Sequence, residues 1–255
     1  MRLIDTHTHL YLNEFSADID EVIKRAKEAG VGKFYLPAID SEVLNDLLQL
    51  ESKEPNVFFA MMGLHPVSVK NNYMTELKIV EEYLAKRKFV AIGEIGLDYY
   101  WDTTFKVQQL EAFTIQMEWA LDYKIPIVIH TRKAMRDTID AVKPFAEKGL
   151  TGIFHCFGDD NEIAKEITGM GFYLGIGGVV TYKKANLQES LKDIPLESMV
   201  LETDAPYLTP VPFRGKRNES SYLLNIAQKL AEIKNSTLEE VAAITTINAE
   251  KIFGK

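Results

Sequence analysis

Short apolar, β-branched runs alternate along the chain with longer stretches in which apolar residues recur every three or four positions. The first pattern belongs to strands and the second to amphipathic helices. Strand-length runs occupy residues 3–9, 33–38, 57–64, 89–95, 126–131, 152–157, 173–177 and 199–202. Helical spacing occupies residues 18–29, 41–52, 104–123, 133–147, 161–168 and 220–234. In the first helix Ile19, Val22, Ile23 and Ala26 share one side, and Gly30 supplies a stop. Ser236 followed by Glu239 predicts a capping box for a last helix through Phe253. Strands that alternate with helices pair in parallel. Eight such units in 255 residues predict an α/β fold of the TIM-like (β/α)8 barrel type. An open doubly wound sheet is the runner-up. No linker-like or low-complexity tract divides the chain, so one domain over residues 1–255 is expected.

The opening MRLIDTHTHL puts Asp5, His7 and His9 at alternate positions, on one face of the first predicted strand. Two neutral imidazoles converging from one strand make half of a divalent-metal site. The other three histidines corroborate it. His65 follows the third strand in GLHP, His130 ends the fifth in PIVIHTR, and His155 lies near the end of the sixth in GIFHCF. Glu94 ends the fourth strand in AIGEIGLDYY, and Asp204 follows the eighth in VLETDAPYL. The C-terminal strand ends of a barrel carry its active site. Each residue also has a plainer reading: Glu94 as a solvated carboxylate before a glycine turn, His130 as a satisfied interior histidine, Asp204 as a turn aspartate. Glu94 argues against its own, because a carboxylate inside an apolar strand is costly to bury without a partner. His65 is a candidate for substrate contact rather than metal. Cys156 neighbours His155, so strict alternation turns it towards the helices as a core residue.

Charge narrows the partners. The net charge is −8, so a nucleic acid would not be bound through a broad basic surface. Positive groups are local: Arg132 just beyond His130, and Arg214, Lys216 and Arg217 in the loop after the last strand. Together they suit a phosphate. Tyr99, Tyr100 and Trp101 follow the Glu94 strand and either stack on a base or pack the rim. A single cysteine excludes an intramolecular disulfide and fits a reducing compartment. No signal peptide or transmembrane run is read, so a cytoplasmic protein, not associated with membranes and acting as a monomer, is expected.

The motifs DTHTHL, GLHP, GEIGLDYYW, PIVIHTR, HCF, LETDAPYLTP, RGKRNESSY and TINAEKIF, in this order across nearly the whole chain, resemble the TatD family of metal-dependent hydrolases, within the amidohydrolase-like barrels. The family often has proline where Ser220 stands. The resemblance implies deoxyribonuclease activity of the 3′→5′ exonuclease type, with DNA or an oligonucleotide as substrate. It implies that His7, His9, Glu94 and Asp204 hold one divalent ion, and that Glu94, His130 and His155 hold a second. Magnesium, manganese and zinc all suit these ligand types. Such ions would activate a water for in-line attack on phosphorus, with Asp204 orienting it and accepting its proton. The cations Arg132, Arg214, Lys216 and Arg217 would offset charge on the phosphoryl oxygens, and His65 would bind the phosphate or assist the leaving oxygen. The rival reading is an amidohydrolase-type enzyme acting on a small amide, lactone or phosphoester with the same centre.

Overall fold

A computed structural model describes residues 1–254. Among them, eight strands run in chain order: β1 (Leu3–Asp5), β2 (Val31–Leu36), β3 (Phe58–Ala60), β4 (Ile92–Asp98), β5 (Ile127–Arg132), β6 (Gly152–Phe154), β7 (Tyr173–Ile176) and β8 (Met199–Leu201). All paired neighbours are parallel. The expected (β/α)8 architecture is therefore the observed one.

The barrel is not one continuous ladder. β1–β3 form one sheet and β4–β8 another. Two joints close it through irregular backbone bonds. At the first, Met62 bridges to Ile92, Ala38 N donates to Gly93 O at 3.0 Å, and Glu94 N donates to Ala38 O at 3.0 Å. At the second, Thr6 N donates to Leu201 O at 3.0 Å, Asp204 N to His7 O at 2.9 Å, and His9 N to Ala205 O at 2.8 Å. These joints explain why β1, β3 and β8 are shorter than the apolar runs suggest. Past Asp5 and past Ala60 the backbone leaves its ladder to bond across the gap.

The helices on the outside are α1 (Ile19–Glu28), α2 (Leu44–Lys53), α3 (Tyr73–Lys86), α4 (Lys106–Tyr123), α5 (Met135–Ala146), α6 (Asn161–Gly169), α7 (Leu187–Leu191), α8 (Leu223–Lys234) and α9 (Leu238–Phe253). α3 is an addition to the helices read from periodicity. It buries only Leu77, Val80 and Leu84, a narrow stripe set among polar residues. α9 starts one residue later than Ser236 implied: Thr237 Oγ1 accepts from Glu240 N at 3.1 Å, and Ser236 instead bonds the Glu240 carboxylate.

Two apolar clusters hold the fold. The larger lies between strands and helices. The smaller takes alternate strand residues, Ile4, Tyr35, Phe59, Val128, Ile153, Tyr173 and Val200, with Ala249 and Phe253 of α9. Tyr35 stacks on Phe59 and Phe253, with ring centres 5.0 and 3.9 Å away. α9 is tied to the N-terminal ends of β1 and β8, through Thr246 to Arg2 O and Asn248 to Met199 O. It plugs that end of the barrel and leaves the C-terminal strand ends open. No described helix is long and apolar enough to cross a membrane.

Candidate metal centre

Glu94 is the centre of the open end. It is 2% exposed, and its two oxygens face different imidazoles. Oε2 lies 3.1 Å from His7 Nε2 and 3.6 Å from His9 Nε2. Oε1 lies 2.9 Å from His130 Nδ1, 3.4 Å from His65 Nε2 and 3.6 Å from His155 Nε2. Asp204 Oδ1 closes the first group, 3.5 Å from His9 Nε2 and 3.8 Å from His7 Nε2. All seven sequence-predicted residues of this set therefore converge at one end of the barrel. The Nε2 atoms of His7 and His9 are only 3.3 Å apart.

Four of the five imidazoles are turned by a neighbour, whereas His7 Nδ1 is buried without a hydrogen-bond partner among the described residues. Tyr11 OH donates to Pro37 O at 2.6 Å, so it accepts from His9 Nδ1 at 2.8 Å, which leaves the His9 Nε2 lone pair facing Glu94. His155 Nδ1 sits 3.0 Å from Glu202 Oε1, so its Nε2 also turns to the centre. His130 Nε2 is 2.9 Å from Asp98 Oδ2, leaving Nδ1 for Glu94. His65 differs. Its Nδ1 accepts from Val67 N at 3.1 Å, so the proton of the neutral ring is on Nε2. His65 is thus a donor towards Glu94 rather than a lone-pair ligand, although its ring nitrogen lies close to Glu94 and His130.

The donor set fits divalent cations. Ligand atoms of His7, His9 and Glu94 lie within 4.8 Å of one another, as do those of His7, His155 and Asp204. These are ring nitrogens and carboxylate oxygens packed face to face, an arrangement that positive charge, a proton or a metal ion, relieves. The electrostatics agree. Burial opposes ionisation of Glu94, yet His7, His65 and His155 around it hold its carboxyl well below the usual range. Burial likewise works against the charged form of His155, but Glu202, Glu94 and Asp204 push it up to about 10. Asp204 is buried too, and His155 and His9 keep its carboxyl low.

Three expectations are corrected. Asp5 does not join the histidines: it turns to Thr203, accepting from its N at 2.9 Å and its Oγ1 at 2.7 Å, and burial raises it to about 7. Cys156 does not face the helices. Its φ of 50° breaks the strand alternation and places it on the lining of the cleft, its thiol raised well above the usual value by burial. Of the four cations expected at phosphate, only Arg132 lines the cleft, which encloses about 810 Å3 above the histidines. Arg214 bonds the Tyr182 hydroxyl and stacks 4.0 Å from that ring. Lys216 lies over Phe213. Arg217 forks onto Asp18 at 2.8 and 2.7 Å and covers Phe15. The loop is a structural strap, fixed further by Arg25 on Glu219 and by Asn218 Nδ2 on the carbonyls of Thr203 and Tyr207.

The family model for TatD related DNase matches residues 4–254. The chain belongs to the TatD family. It is 41% identical over 252 residues to the uncharacterized metal-dependent hydrolase YabD of Bacillus subtilis, covering 98% of each chain. It is 32% identical to the uncharacterized metal-dependent hydrolase YcfH of Escherichia coli, covering 99% of this chain and 96% of that one. Among solved structures, the TatD homolog YjjV of Escherichia coli superposes with a TM-score of 0.93 at 29% identity, over 100% of this chain and 98% of that one.

Tyr11, Asp98 and Glu202 escaped the sequence reading. Glu202 and Asp98 carried a signal. Glu202 precedes Asp204 by two, and Asp98 follows Glu94 by four in the same strand, both at the open end. Partners of this kind fix ring orientation and raise the basicity of a ligating histidine.

Proposed function

We propose that this metal-dependent hydrolase of the TatD family cleaves phosphodiester bonds of DNA, removing nucleotides from a 3′ end with divalent ions that His7, His9, Glu94, His130, His155 and Asp204 would hold. The observation that carries the reading is the Glu94-centred cluster, which opens into a cleft bordered by Arg132 and exposed aromatic rings. Divalent ions bound there supply positive charge to phosphoryl oxygens and lower the pKa of water. The chain's own residues do the rest. Asp204 is ionised and sits at the edge of the cleft, where it accepts a proton from the attacking water. His65 presents Nε2–H to a phosphoryl or leaving oxygen. Arg132 has no carboxylate partner among the described residues, so its guanidinium is free to meet phosphate.

End-labelled single-stranded DNA, incubated with protein loaded with magnesium, manganese or zinc, tests this. The expected result is stepwise shortening from the 3′ end that stops on chelation. Intact DNA together with turnover of a small lactone, amide or phosphoester would replace the reading with the amidohydrolase alternative.

A further inference from the structure

On the Arg132 side of the cleft, three side chains form an unusual lip. Tyr100 and Trp101 are 51% and 65% exposed, among the most exposed large apolar residues of the protein. Their rings meet edge to face, with centres 5.0 Å apart. The Arg132 guanidinium carbon lies 3.9 Å from the Tyr100 ring centre and 5.1 Å from that of Trp101. Tyr99, by contrast, is tied down: its hydroxyl bonds Asp137 and Lys106 covers its ring.

The lip is rigid, and it is referenced to the centre. Asp98 Oδ1 accepts from Tyr100 N at 2.9 Å and from Trp101 N at 3.2 Å, while its Oδ2 meets His130 Nε2 at 2.9 Å. The Asp98 backbone is itself clamped at both ends by the Gln109 amide. One carboxylate thus fixes the aromatic lip and a candidate metal ligand in a single frame.

We propose that Trp101, backed by Tyr100 and Arg132, is a stacking subsite for an unpaired nucleobase next to the scissile phosphate; this rests on the DNA reading above. A base offers a flat π-face to Trp101, and the phosphate on its sugar meets the free guanidinium of Arg132. Paired bases stay inside a duplex stack, so the subsite selects single-stranded ends. Stacking is indifferent to base identity, which suits an enzyme that removes successive nucleotides.

The test compares a single-stranded oligodeoxynucleotide with the same strand carrying abasic sugars at its 3′ end. The wild-type KM is expected to be about tenfold lower for the base-bearing strand, and in Trp101→Ala the two values converge. A Trp101→Phe variant restores most of the preference, because a flat ring remains. If Trp101→Ala keeps the wild-type preference, the subsite is overturned. Binding gives an independent readout, since the chain has only two tryptophans. The base-bearing strand, titrated into metal-free protein, is expected to quench fluorescence that Trp101→Ala lacks, and the abasic strand is not. Quenching without cleavage keeps the subsite and overturns only the hydrolytic reading. Cleavage with neither quenching nor a KM difference overturns the subsite alone.

Discussion

Replacing Gly175 by Ala is expected to injure the metal centre from behind. Gly175 lies in β7, paired with Val200 of β8, and its carbonyl accepts from Phe157 N at 2.9 Å. A Cβ built there falls 2.3 Å from Glu202 Oε2 and 2.7 Å from its Cδ. The backbone is held by ladder bonds on both sides, so the carboxylate must give way, by about 1 Å to reach ordinary contact. Glu202 is fully buried, and its Oε1 accepts from Cys156 N and lies 3.0 Å from His155 Nδ1 as an ion-pair contact. Its retreat costs about 1–3 kcal/mol as overpacking. It also frees the His155 ring, and loss of such a partner lowers metal affinity roughly 10- to 100-fold. Gly177→Ala is the control. Its Cβ would stand 3.6 Å from Glu202 Oε1, an ordinary contact at a φ of −108°. Urea unfolding and metal titration against a competing chelator measure the two effects. A Gly175→Ala protein with the unfolding midpoint and metal affinity of Gly177→Ala would refute the claim that Glu202 occupies space only glycine leaves and that it orients His155.

Glu94→Ala is expected to abolish binding of two cations while His155→Ala weakens one, because only Glu94 faces both groups of imidazoles; equal stoichiometry in the two variants, read by elemental analysis, would remove the shared-carboxylate assignment. Arg217→Ala is expected to lower stability by about 1 kcal/mol, the scale of a partly exposed bidentate pair, and to leave KM for an oligonucleotide unchanged, since its fork is on Asp18; a raised KM at full stability would return Arg217 to the substrate. Burial opposes ionisation of Glu219, but Arg25 and Ser221 lower its carboxyl below the ordinary 4.5. A depressed acid stabilises the fold above its unfolded value, and that contribution is lost as pH falls through the folded one. The unfolding midpoint should therefore drop below about pH 4.5 less steeply in Glu219→Gln than in the parent, and parallel profiles would count against the ion pair.

The sequence displayed most of this molecule, for a physical reason. Barrel strands are buried on both faces and read as short apolar runs, while helices write their periodicity over two or more turns. Ligands at strand ends stand out because a histidine or carboxylate is foreign to such a run. Geometry set by the joints was hidden. Alternation aimed Asp5 at the histidines and Cys156 at the helices, but it holds only while the backbone stays in its ladder: past Asp5 the chain leaves to bond across the second joint, and past Phe154 the φ of 50° at Cys156 turns it. Charge was legible in number and not in destination. Arg214, Lys216 and Arg217 stand within four residues of one another, and only tertiary contacts reveal that Asp18, Tyr182 and Phe213 receive them.

The division of the barrel into a three-strand and a five-strand sheet has a mechanical meaning. His7, His9 and His65 belong to the first sheet and its extensions, whereas Glu94, His130, His155 and Asp204 belong to the second. The set expected for the first ion, His7, His9, Glu94 and Asp204, draws its ligands from both halves. A cation held there would be a clasp across both gaps, and prising the halves apart would dissolve its cage. Occupancy and closure are then one equilibrium: saturation at a hundred times the dissociation constant adds about 2.7 kcal/mol to the grip of one half on the other.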